Sequence, residues 1–86
     1  MLSELELGIQ QNVTRYLSGQ ISLADFEDWF VPALWDLDNE DEHTRELAGR
    51  LHILISEFSN GDRTLDDLRT DLAETIRAAR DVRVSV

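Results

Sequence analysis

Apolar residues recur along this chain at spacings of three and four, and the pattern predicts four helices. Leu5, Ile9, Val13 and Tyr16 form the first stripe. Ser3 stands before it as an N-cap, with Glu6 placed to close a capping box. Gly19 ends that helix. The second helix starts at Ser22 and carries Leu23, Phe26, Phe30, Leu34 and Leu37 on one face. The third starts near Asp38 or Asn39, with acids in its first turn where the helix dipole favours them. Its stripe is Leu47, Leu51, Leu54, Ile55 and Phe58, and Asn60-Gly61 stops it. The fourth starts at Thr64 and turns Leu65, Leu68, Leu72, Ile76 and Ala79 inward. Beyond Ala79, Val82, Val84 and Val86 alternate with polar residues, which predicts a short extended C-terminal tail.

A shift of 42 residues lays one half of the chain over the other. Leu5, Ile9, Val13 and Tyr16 fall on Leu47, Leu51, Ile55 and Phe58. Gly19 falls on Gly61, Ser22 on Thr64, and Asp25 on Asp67. Each half is a helix, a glycine turn, a capped start and a second helix. The expected fold is all-α: one domain over residues 1–86, a small four-helix bundle of two antiparallel hairpins.

The overlay also exposes what the core does not explain. Trp29, Pro32 and Trp35 fall on Asp71, Glu74 and Arg77, positions suited to water. At 100° per residue Trp29 lies on the flank of its apolar stripe, and Trp35 lies well away from it. Pro32 inside a helix predicts a kink or restart that re-aims Trp35. Leu7 and Ile53 are off-stripe as well. Five of the six aromatic residues lie between Tyr16 and Trp35, and the block is followed at once by Asp36, Asp38, Glu40, Asp41 and Glu42.

Charge sharpens this picture. The net charge is −10, and it is uneven. Residues 1–42 hold ten acids and one base, whereas residues 43–86 hold eight acids and seven bases. The first half is repelled by phosphate backbones and anionic lipid, which argues against direct nucleic-acid or membrane binding. It favours a basic protein partner, although the same excess also serves solubility. All eight bases are arginine. There is no cysteine, in keeping with a reducing cytoplasm. The acidic, helical start is unlike a secretory signal, and the longest apolar run, residues 29–35, is far too short to span a bilayer.

Catalytic and metal chemistry find little support. Read as a calcium loop from Asp36, the acidic run puts Asp41 where glycine is required and Leu47 where a bidentate acid is required. His43 and His52 are nine apart, not the four that would put both imidazoles on one helix face. No nucleophile elbow or catalytic constellation is present. The expectation is a non-enzyme with no catalytic residues, no metal and no cofactor.

The segment Tyr16-Leu17-Ser18-Gly19-Gln20-Ile21-Ser22, followed by Phe26, resembles the first turn of small bacterial immunity proteins of the colicin D immunity type. The resemblance implies an acidic helical bundle that blocks a ribonuclease toxin by covering its basic active site. It covers about a dozen residues of generic turn and cap chemistry. It does not reach the tryptophan block or the acidic run, so it assigns no residue a role. The resulting expectation is a small acidic cytoplasmic protein-binding module, immunity- or antitoxin-like. Its binding residues would be Trp29, Trp35, Asp36, Asp38, Glu40, Asp41 and Glu42. The alternative is a structural homo-oligomer, down to a homodimer, with no inhibitory role.

Overall fold

A computed structural model describes the backbone of residues 3–84 and the side chains of residues 3–81. Four α-helices follow one another: α1 (Glu4–Leu17), α2 (Leu23–Ala33), α3 (Glu42–Ser59) and α4 (Leu65–Val84). A 3-10 helix, Leu34–Asn39, joins α2 to α3. The architecture is the expected all-α four-helix bundle. α1 touches each of the other three α-helices, α3 packs mainly on α4, and α2 lies against α1.

The two hairpin turns share one hydrogen-bond pattern at the 42-residue shift. Gly19 N–H donates to Tyr16 and Gln20 N–H to Arg15; Gly61 donates to Phe58 and Asp62 to Glu57. Both glycines sit at φ 83°, where a Cβ is disfavoured. The caps repeat too. Ser22 Oγ accepts from Asp25 N–H at 3.0 Å, and Thr64 Oγ1 accepts from Asp67 N–H at 3.1 Å. Each satisfies a donor that the helix start leaves open.

The predicted stripes form the core. Ile9, Val13, Tyr16, Phe26, Phe30, Leu47, Leu51, Leu54, Ile55, Leu68, Leu72, Ile76 and Ala79 are buried. Leu5, Leu34, Leu37 and Phe58 pack against them, partly buried. Leu65 departs from expectation: as the first residue of α4 it lies exposed. Phe26 and Phe30 stack with ring centroids 5.4 Å apart, and Trp29 lies 6.2 Å from Phe26.

Three further expectations change. The chain beyond Ala79 is helical through Val84, not extended. A helix satisfies its own backbone groups, while a lone extended tail needs a neighbouring strand, and the described residues contain none. Ser85 and Val86 lie outside the described residues. Second, α3 starts at Glu42 with Asp41 as N-cap, three residues later than the acid pattern suggested. Residues 34–39 are claimed by the 3-10 helix instead. Third, Ser3 caps α1 as expected, its Oγ accepting from Glu6 N–H at 3.0 Å, but the Glu6 side chain is turned into the bundle. It is buried, with Oε1 2.8 Å from His43 Nε2.

Gly8 of α1 meets Trp29 of α2. A Cβ at Gly8 would lie 2.7 Å from the Trp29 ring, whereas one at Gly49 of α3 would meet nothing within 4 Å. Both glycines are in helix interiors, where alanine gains about 1 kcal/mol from propensity alone. Gly49→Ala should therefore stabilise the fold by up to about 1 kcal/mol. Gly8→Ala should destabilise it by about 1–2 kcal/mol, because the overpacked contact outweighs the propensity gain. Chemical denaturation of the two variants checks the opposite signs; a stabilised Gly8→Ala would show that α1 and α2 do not meet at Trp29.

Candidate functional site: an exposed tryptophan at a helix restart

Trp35 owes its position to Pro32. Proline has no N–H, so Asp28 loses the ladder bond that residue 32 would have supplied. The helix goes on for one residue and then tightens: Leu34 N–H reaches back to Val31, the three-residue reach of a 3-10 turn. Asp36, at φ −115° and ψ 21°, breaks the run altogether. Across this junction Leu34 and Leu37 stay against the core. Trp35 follows Leu34 by one residue and so points away from the core. It is 84% exposed, the most exposed large apolar side chain among the described residues. The restart was predicted; its effect is to hold Trp35 in solvent rather than bring it inward.

The structure separates the two tryptophans. Trp29 is half-buried, seated on Gly8 and against Phe26 and Phe30. It closes the α1–α2 contact, so Trp35 is the one presented outward.

The five acids also divide. Asp36 accepts from the Asn39 amide, and Asp41 Oδ1 accepts from Thr44 N–H at 2.9 Å. These two carboxylates shape the connection and start α3. Glu40 is half-buried, and its N–H closes the 3-10 turn on Leu37. Asp38 and Glu42 are exposed and make no hydrogen bond or ion pair among the described residues. They are the carboxylates in this run open to a partner's cation.

All arginines but Arg15 lie C-terminal to this segment, and three of them are engaged within the bundle. Arg63 pairs with Asp71 and Glu57. Arg69 donates to the Leu17 carbonyl at 2.7 Å and lies over the Tyr16 ring. Arg80 Nε donates to Gln10 Oε1 at 3.1 Å. Between Arg15 and Arg45 the chain has eight acids and no arginine or lysine. The segment around Trp35 thus carries an excess of acids, while α3 and α4 carry acids and arginines in nearly equal number.

Sequence reasoning missed a buried polar cluster joining α1 to α3. Glu6 and Thr44 are fully buried. Thr44 Oγ1 lies 3.1 Å from Ser3 Oγ, and His43 reaches Glu6. A signal was present. Glu6 stands three residues before Ile9, on the face that Val13 and Tyr16 continue; Thr44 stands three before Leu47.

Two open grooves flank these features. One of about 690 Å³ lies between α3 and α4 and is rimmed by His43, Glu46, Arg50, Arg63, Asp71 and Glu74. The other, about 390 Å³, lies between α2 and the C-terminal half of α3. Among the described residues no group of three or more histidines and carboxylates could hold a metal ion, and no helix is long and apolar enough to cross a membrane. Set against models of protein families, curated proteins and solved structures, the chain matches none.

Proposed function

We propose that this protein is a small binding module for a basic protein, with Trp35 as apolar anchor and the Asp36–Glu42 carboxylates as electrostatic guide. The observation that carries this reading is the 84% exposure of Trp35 directly beside an acidic run that contains no arginine or lysine. An exposed tryptophan loses no burial on folding that a partner could not supply, and tryptophan is favoured at the energetic centre of interfaces. Exposed carboxylates add steering and partner selectivity. The same charge disfavours direct contact with nucleic acid or anionic lipid. The role is immunity- or antitoxin-like, inhibition of a basic bacterial toxin such as a nuclease in the cytoplasm. The turn resemblance and the acidic first half support it. No catalytic step is assigned to the chain.

Trp35→Ala tests the reading. The free variant should unfold within about 0.5 kcal/mol of wild type, because the ring is 84% exposed and contributes little buried area. Recovery of the basic partner from the native host should fall at least about tenfold, the effect of removing a central anchor. Binding by the wild type should weaken steeply with salt. A destabilised free variant, or a partner retained undiminished, would remove Trp35 as anchor.

The second reading, a homo-oligomer, draws on Leu7 and Ile53, which are 45% and 58% exposed away from the acidic run. Size-exclusion chromatography with light scattering decides it: a monomer leaves only the first reading standing.

A further inference from the structure

A second surface feature is the groove between α2 and the C-terminal half of α3. Glu27 and Val31 are four apart on α2 and share one face of it. Val31 is exposed, and it lines the groove together with Phe30 and Ile55. Those three make an apolar floor. Glu27, His52 and Ser59 stand on the rim. The Glu27 carboxylate forms no ion pair among the described residues. The last turn of α3, which borders the groove through Ser56 and Ser59, has no basic side chain of its own. A helix C-terminus carries partial negative charge and favours a cation there. The larger α3–α4 groove differs in carrying its own arginines, Arg50 and Arg63, the second paired with Asp71.

An apolar floor beneath a single unpaired carboxylate matches one common side chain. We propose that this groove is a docking site for an arginine of the basic partner, its methylene stem on Phe30, Val31 and Ile55 and its guanidinium donating to Glu27. The proposal rests on the reading that this side of α2 faces a basic protein. Long cationic side chains lay their stems on apolar surface while keeping the charged head at its edge. Guanidinium is less strongly hydrated than ammonium and offers a planar pair of donors to a carboxylate, so arginine suits this site better than lysine.

The test uses the full chain, isotopically labelled, titrated by NMR at low ionic strength with Nα-acetyl-arginine N-methylamide. The citrulline, lysine and norleucine counterparts serve as comparison. The arginine probe should shift the amides of Val31, Ser56 and Ser59 and saturate with a dissociation constant of about a millimolar or a few. Citrulline, of the same length but uncharged, should bind at least about fivefold more weakly, and lysine about threefold more weakly. Glu27→Gln should bring arginine down to the citrulline level. Leu65→Ala, on the exposed first turn of α4 and outside the groove lining, should leave arginine binding unchanged. Equal binding of arginine and citrulline overturns the proposal, as does an unaffected Glu27→Gln variant. Norleucine binding best would make the groove a seat for an apolar side chain. Lysine matching arginine would remove the guanidinium. Shifts centred on the Trp35 ring would place the cation over the indole instead. The Trp35 reading is decided on the intact partner and this one on the isolated side chain, so each can fail alone.

Discussion

Phe26→Ala should lower the unfolding free energy by about 3–5 kcal/mol, the range for truncating a buried aromatic. Phe26 has no exposed surface, stacks on Phe30 and lies within ring contact of Trp29. Three aromatic rings on successive turns of α2 share that contact, so the vacated space cannot be filled by one neighbour moving. A chain of this length has a total stability of only about 4–13 kcal/mol. The variant is therefore expected near its unfolding midpoint at modest denaturant. The check is denaturation followed by far-ultraviolet circular dichroism, with the denaturant slope unchanged. A loss below about 1 kcal/mol would mean that α2 is not docked through this ring.

The second large effect belongs to the buried carboxylate. Glu6 is fully enclosed, with His43 Nε2 2.8 Å from its Oε1. His43→Ala takes the 2.8 Å ion-pair contact away from a side chain that water does not reach, which should cost about 2–3 kcal/mol. The value sits below that of a fully enclosed pair because the His43 side chain is 26% exposed, so water can enter the vacated space. Glu6→Leu combined with His43→Ala should cost less than His43→Ala alone, since the buried polar side chain goes with its partner. The cycle should show a coupling of about 1–3 kcal/mol. Single changes that add to within about 0.3 kcal/mol would show that the two side chains are not coupled.

Several features were legible before any coordinates. Gly19 and Gly61 mark turns because a left-handed backbone position favours glycine, a property of one residue and its immediate neighbours. Ser22 and Thr64 mark helix starts because a hydroxyl reaches an N–H three residues on. Leu47, Leu51 and Ile55 mark a buried face because the helical period is short and regular. The exposure of Trp35 was legible in outline, since it falls off the stripe that Phe30, Leu34 and Leu37 define.

Other features could not be read that way. Glu6 has the sequence position of a capping-box acid and the spacing of a core residue, and both readings are locally sound. His43, 37 residues further along, decides between them by pairing with it from α3. The acids from Asp36 to Glu42 look alike in sequence. Asp36 and Asp41 become structural only because the 3-10 helix ends where it does. Trp29 and Trp35 are the same residue type six positions apart. The first is drawn in because α1 offers Gly8 opposite it; the second meets no facing helix.

The sequence alone therefore determined the four helices, their turns, their apolar faces and the uneven charge, because each depends on residues within about one turn of one another. Tertiary structure decided which polar side chains are enclosed, which acids remain open, which tryptophan faces solvent, and that a groove opens beside Val31. Those outcomes depend on packing between residues far apart in the chain, where the competing local arrangements differ by little and the remote contact selects among them.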